Sequence, residues 1–387
     1  MDIYKLSTLG DSTKQLGDLK LFLVAGEKSG DLHGGNLIKA LKAKRSDIEI
    51  AAWGGDRMQA EGALLKNHYE KMAFMGLWEV IKNLRTIFQN LKKCKEDILQ
   101  FGPDAVILID YAGFNLKIAK FCKQNNIKVF YYISPKVWAW NTDRAWKIKK
   151  LVDHLLVIFP FEVDFFRKYD YKVDYVGNPL MDEIEAFKPN VSFRKENNLG
   201  EKPIIAILAG SRLQEVKAML PIMLSIRNQY TDYQFVIAGV SNLPASIYEP
   251  FGVKTIYNDT YNLLVNSEAA LVTSGTATLE TALLGIPQVV CYKTSQLTYQ
   301  VGMLLIKVKF ASLVNLTMEK ETVKELIQHE FNEKNLKIEL DSILVNGSKR
   351  ATQLTEYKQL KEKVGNAGAS ERAAKLIFKY LATDNQN

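Results

Sequence analysis

Residues 269–292 read AALVTSGTATLETALLGIPQVVCY, and the fold is legible from this stretch outward. An apolar run, Ala269 to Thr273, opens into Ser274-Gly275-Thr276-Ala277 and then into a helix-forming run that ends at Leu284. Ala, Leu and Glu favour helix, Ser274 and Thr276 are capping residue types, and Gly285 with Pro287 closes the element before a second apolar run, Gln288 to Tyr292. The order is strand, small-residue turn, helix, strand, which is the unit of a parallel sheet. Unpaired N–H groups at such a helix start point beyond the strand ends, and the helix dipole favours an anion there. Ser274, Gly275 and Thr276 therefore suit a phosphate or diphosphate, and Glu280, about one turn in, suits the ribose diol beside it. An ordinary capped βα unit would show the same residues.

A second stretch of the same design shifts the balance. Ile204 to Leu208 runs into Ala209-Gly210-Ser211-Arg212 and a helix-like segment from Gln214-Glu215-Val216. Gly210 lets backbone approach a ligand closely, and Arg212 brings a planar, permanently charged fork that matches phosphate oxygens. In isolation, Arg212 would be read as a surface arginine.

The chain has 387 residues, 47% of them hydrophobic, enough for a large core divided into two domains. Its net charge of +8 is dispersed, so anionic small molecules or an anionic membrane surface fit as partners, and no basic tract demands nucleic acid. Cys94, Cys122 and Cys291 show no C-x-x-C spacing, which points away from a disulfide framework or a zinc site and toward a reducing cytoplasm. Leu21 to Ala25 is too short for a membrane span or signal core.

In chain order, residues 1–19 read as a polar tail. A strand, Leu21 to Ala25, opens into Gly26-Glu27-Lys28-Ser29-Gly30-Asp31 and a helix from Leu32; neither a P-loop nor a dinucleotide fingerprint has this spacing. His33 follows the turn and by itself reads as a structural residue. Strands are expected at Ile48 to Trp53, Ala105 to Ile109, Val129 to Ile133, Leu155 to Ile158 and Tyr175 to Val176, then at Gln234 to Ala238 and Lys254 to Tyr257 in the second half. Met72 to Leu91, apolar with interleaved Lys82 and Arg85, is either a core helix or an interfacial segment. Asp110 ends an apolar strand, on the side where α/β sheets bind ligands, or else caps the next helix. Ser134-Pro135-Lys136-Val137-Trp138-Ala139-Trp140, with Arg144 to Lys150 behind it, is aromatic and basic, suited to stacking on bases or to holding an anionic amphiphile. The last forty residues read as helical, with Ser370 as a cap.

The expected fold is α/β, with two Rossmann-like doubly wound domains facing a cleft, spanning residues 20–180 and 181–350. Helices at 351–387 then pack back on the first domain or on a partner subunit.

Taken together, Ala25 to Asp31, Gly55-Asp56-Arg57-Met58, Met75-Gly76-Leu77-Trp78-Glu79-Val80, Ile109-Asp110, Phe114-Asn115 and Ser134 to Trp140 resemble the lipid-A-disaccharide synthases. Gly210-Ser211-Arg212, Ser274 to Ala277 with Leu279-Glu280, and Ser312 to Leu316 extend the likeness to the end of the chain. The resemblance implies a GT-B-type inverting glycosyltransferase that joins UDP-2,3-diacylglucosamine to 2,3-diacylglucosamine 1-phosphate and releases UDP. It implies Asp110 as catalytic base, with Ser211, Arg212, Ser274, Gly275, Thr276, Glu280 and Asn315 on the donor side. Glu27, Ser29, Asp31, His33, Met75 and Asn115 are implied on the acceptor side. The chain has no D-x-D, in keeping with a metal-independent transferase without cofactor. The implied place is the cytoplasmic face of the inner membrane, as a peripheral protein bound to its anionic surface, with no nucleic acid; a homodimer is left open. Gly113, Ala209 and Asn178 stand where the family often has Asp, Pro and His. Another nucleotide-sugar enzyme of this architecture, such as an epimerase, or a non-catalytic membrane-surface module are the competing readings.

Overall fold

The computed structural model describes residues 19–71, 84–140, 142–296, 299–300 and 308–384. Met75, the rest of 72–83 and residues 1–18 of the expected tail lie outside the described residues; Leu19 is already part of the core.

Seven strands form the first sheet: β1 Lys20–Ala25, β2 Glu49–Gly54, β3 Leu64–His68, β4 Ala105–Ile109, β5 Lys128–Tyr132, β6 His154–Val157 and β7 Asp174–Tyr175. Their order is β3-β2-β1-β4-β5-β6-β7, and neighbouring strands pair in parallel. Six more strands form the second sheet in the order β10-β9-β8-β11-β12-β13: β8 Ile204–Leu208, β9 Gln234–Gly239, β10 Lys254–Tyr257, β11 Ser267–Thr273, β12 Gln288–Tyr292 and β13 Lys324–Ile327. Two strands were not anticipated, β3 and β13. Both are edge strands with mostly half-buried residues, so neither carries the apolar run that marks a central parallel strand.

Each sheet is buried on both faces, which is why its central strands read as unbroken apolar runs. Along β8, for example, Ile205 and Ile207 face one core cluster while Ile204 and Ala206 face another. A further cluster joins the halves: Trp138, Phe159, Leu180 and Met181 pack with Leu279, Leu283, Val314 and Leu360. Trp138 is thus buried, and its indole N–H donates to Glu162 Oε1 at 3.3 Å, so it offers no face to bases or lipid.

The chain crosses back at its end. Helix Arg350–Val364 stays with the second domain, where Gln353 and Tyr357 bond to Gln288. Helix Ala369–Asp384 returns to the first, burying Ala373, Ala374, Ile377 and Leu381 among β1 and β2 residues. Tyr380 stacks on His154 with ring centroids 3.7 Å apart, and its hydroxyl donates to Asp174 Oδ2 at 2.8 Å. Asp182, not Ser370, serves the start of this helix: its carboxylate accepts from the backbone N–H groups of Gly368, Ala369 and Ser370. A carboxylate is the stronger acceptor for the positive end of a helix.

Asp182→Ala should therefore lower stability by about 1 to 2 kcal/mol, with Asp182→Asn recovering most of it. Hydrogen exchange would show residues 369–384 opening ahead of the rest of the first domain.

Candidate active site

Strand order reverses between β1 and β4 in the first sheet and between β8 and β11 in the second, and crevices open at such switch points. The carboxyl ends of these four strands carry Gly26-Glu27, Asp110, Gly210-Ser211-Arg212 and Ser274-Gly275-Thr276.

Asp110 continues from β4 through its own N–H, which donates to the Tyr132 carbonyl at 3.3 Å. Its φ is 44° and that of Tyr111 is 49°, two successive left-handed residues with side chains. Backbone strain of this kind gathers at functional sites. Ile133, leaving β5 beside them, has φ 66°. Burial raises the Asp110 carboxyl above its ordinary range, while Lys136 and the Tyr111 backbone N–H pull the other way. Glu27 caps no helix N–H with its side chain, and it feels charges from both domains. Burial and Asp110 raise its pKa; Arg212 and Lys136 lower it. The Tyr111 ring lies where a side chain on Gly26 would sit, so that position is kept for glycine.

On the second domain, the N–H groups of Ser211 and Arg212 lie 3.0 and 3.3 Å from Glu215 Oε2, and the Arg212 guanidinium 3.1 Å from Oε1. The Glu215 carboxylate thus supplies the negative charge at this helix start, and Gly210 (φ 108°) leaves room for it. Gly275, not Ser274 or Thr276, is the N-cap of helix Thr276–Leu283, and the Ser274 hydroxyl donates to the Ala311 carbonyl at 2.9 Å. Thr276 is exposed at that helix start. Glu280 faces Tyr261, whose hydroxyl donates to it at 3.3 Å, and burial raises its pKa.

Three expected ligand residues are engaged inside the protein. Asp31 is buried and accepts from the N–H groups of Gly55, Arg57 and Met58 at 2.7 to 3.1 Å, capping the helix Asp56–Ala60. Asn115 is fully buried and donates to the carbonyls of Ile109 and Asp110 at 3.1 and 2.8 Å. Asn315 is fully buried as well, accepting from Thr322 and Val323 N–H and donating to Val323 and Glu325. Polar residues near strand ends look alike in sequence whether they face ligand or backbone. Ser29 is exposed in the first turn of helix Lys28–Lys44.

His33 faces Glu183 of helix Pro179–Ala186, Nδ1 to Oε1 3.7 Å. Burial pushes His33 down to about 4, and burial with the nearby Glu280 and Asp182 pushes Glu183 up to about 7, with Arg57 opposing. Near neutrality, then, His33 is neutral and Glu183 is partly protonated.

Lys136, Glu183, Tyr261 and Glu215 were not singled out as site residues. Only Lys136 had a usable signal, since it follows the carboxyl end of β5 as Asp110 follows that of β4. Gly113 is open, with nothing within 4 Å of a built Cβ, and Asn178 caps Leu180 N–H at 3.0 Å.

Two Rossmann-like domains facing one cleft, each built on a parallel sheet that reverses its strand order there, make up the GT-B class of fold. The lipid-A-disaccharide synthetase family model matches residues 21–378. The lipid-A-disaccharide synthase of Syntrophus aciditrophicus is 39% identical over 93% of this chain and 97% of its own, and that of Coxiella burnetii 35% over 95% and 100%. Among solved structures, a putative UDP-N-acetylglucosamine 2-epimerase from Listeria monocytogenes superposes with TM-score 0.66 at 13% identity, over 95% of this chain and 98% of that one, a likeness of fold. The chain belongs to the lipid-A-disaccharide synthase family.

The His33 and Glu183 shifts have opposite consequences for stability. A carboxyl raised to about 7 contributes stability present below its unfolded pKa and lost as pH rises through 7. A histidine lowered to about 4 contributes stability present above 6.5 and lost as pH falls through 4. Urea unfolding of the protein and of Glu183→Gln at pH 4.5, 6 and 7.5 should show the difference between them falling with rising pH, by at most about 3 kcal/mol.

Proposed function

We propose that the cleft transfers 2,3-diacylglucosamine from its UDP donor to the 6-hydroxyl of 2,3-diacylglucosamine 1-phosphate with inversion, with Asp110 as the general base. The observation that carries this is the placement of Asp110 just past β4 and of Arg212 beyond β8, each at the switch point of its sheet. The acceptor oxygen bonds to the anomeric carbon as the bond from that carbon to the diphosphate breaks. The electron pair leaves with UDP, and Asp110 takes the hydroxyl proton. Burial makes the Asp110 carboxylate a better base than one in water. Arg212 and the N–H groups at Ser211 and Gly275 to Thr276 would receive the diphosphate, Arg212 releasing Glu215 to do so, and Glu280 would hold the ribose. Asp31 and Asn315 have no ligand role in this scheme, since their polar atoms already bond to the protein.

The substrates carry acyl chains, so we place the first domain against an anionic membrane surface, in the cytoplasm. No helix among the described residues is long and apolar enough to cross a membrane. Helices Leu84–Phe101, Ala112–Gln124 and Arg144–Leu151 lie side by side and expose Phe88 and Trp146, with Lys117 over the first ring and Lys149 over the second. Aromatic groups flanked by lysines suit the headgroup region.

Asp110→Asn should lower turnover by on the order of 10² to 10⁴ while leaving UDP affinity unchanged, and Arg212→Ala should weaken UDP binding by roughly 1.5 to 3 kcal/mol. Calorimetry with UDP and an assay of UDP release from both acylated glucosamines check the pair; near-normal turnover in Asp110→Asn would transfer the base role to Glu27. On vesicles, binding should require anionic lipid, fade with salt, and weaken in Phe88→Ala and Trp146→Ala. Equal binding to neutral vesicles would count against the basic face.

A further inference from the structure

The conformation of Asp110 is not one that its own sequence prefers. Side chains with a Cβ avoid the left-handed region, and here two neighbours, Asp110 and Tyr111, occupy it in succession with no glycine to relieve them. Such a turn persists only where its surroundings over-determine it. Those surroundings are specific. The Asp110 carbonyl accepts from the Asn115 side-chain amide at 2.8 Å and from the Tyr131 hydroxyl at 2.5 Å. The same Asn115 amide lies 3.1 Å from the Ile109 carbonyl and 3.4 Å from that of Val24, so one nitrogen gathers the ends of β4 and β1. Tyr131 sits on β5 opposite Leu108 of β4, fully buried, with its hydroxyl at the carboxyl end of the sheet. From the other side, the Tyr111 ring fills the space above Gly26.

We propose that Tyr131 and Asn115 are positioning residues for the transfer reaction: by clamping the Asp110 carbonyl they hold the left-handed turn and aim its carboxylate into the cleft beside Glu27 and Lys136. The proposal rests on Asp110 being the base. Without the clamp, the turn relaxes toward an ordinary strand-to-helix junction, where an aspartate's side chain caps the helix behind it instead of facing substrate. In the structure the N-cap residue of that helix, Tyr111, makes no side-chain cap bond.

A purely structural role for these two residues would change stability; a positioning role acts through Asp110 and shows in the chemistry. Tyr131→Phe keeps the ring and removes only the hydroxyl, and Asn115→Ser removes the amide. Each should lower kcat about 10- to 100-fold with little change in the KM for the UDP donor, which binds the other domain. The acid limb of the kcat profile should move to lower pH, because Asp110 then gains water and loses part of the burial that raises its pKa.

The deciding measurement is the cycle of Tyr131→Phe, Asp110→Asn and the double variant in full-length protein, assayed by UDP release from both acylated glucosamines. The double variant should be no slower than Asp110→Asn alone. If Tyr131→Phe slows turnover by the same factor with or without Asp110, or leaves turnover and the acid limb as they were, the clamp is overturned while the base reading stands. If Asp110→Asn is fully active, the base reading fails and the clamp with it. Should Tyr131→Phe melt many degrees early, Asn115→Ser in the same cycle decides.

Discussion

Parallel strands end with their last carbonyls and the first N–H groups of the following helices aimed the same way, and this protein is built on that asymmetry. Two sheets reverse their winding at β1/β4 and β8/β11, so four such ends open into one cleft. A carboxylate reaches it from β4 and a guanidinium from the turn after β8. Glycine is required where these turns crowd: Gly26 against the Tyr111 ring and Gly210 against Glu215. The positions that look permissive in sequence are therefore sterically the least so.

Charge in the cleft is arranged by burial as much as by pairing. Glu27, Asp110, Glu183 and Glu280 all have raised pKa values, and desolvation is the largest cause for each. Carboxylates buried side by side cannot all ionise cheaply, and Lys136, Arg57 and Arg212 offset only part of that cost. In the proposed scheme, a diphosphate bound near Arg212 adds negative charge to this set. Glu215 is bonded to Arg212 and to the helix start, and in that scheme it is the group the diphosphate displaces.

The returning C-terminal helix ties the domains together by a different means. Arg372 donates to the Val176 carbonyl at 2.7 Å, the Tyr175 hydroxyl to the Val364 carbonyl at 2.6 Å, and Asp182 holds the helix start. These bonds surround the 174–186 crossing, which also carries Glu183 toward His33 and Glu280.

Central strands, their glycine turns and the place of Asp110 were all readable from the sequence, because a strand buried on both faces writes itself as an apolar run and its ligand-side end is marked by small or charged residues. The family was readable for the same reason, since those marks recur in order along the chain. Edge strands β3 and β13 escaped notice, being half-buried and mixed in composition. Tertiary structure alone decided which polar residues face the cleft: Asp31, Asn115 and Asn315 bond to backbone, Trp138 is in the interdomain core, and Asp182 rather than Ser370 caps the last helix. It also decided the left-handed turn at Asp110 and Tyr111, held by a tyrosine 21 residues away on the neighbouring strand. Local sequence encodes which bonds a side chain is able to make; which partner it meets depends on residues that only packing brings within 3 Å.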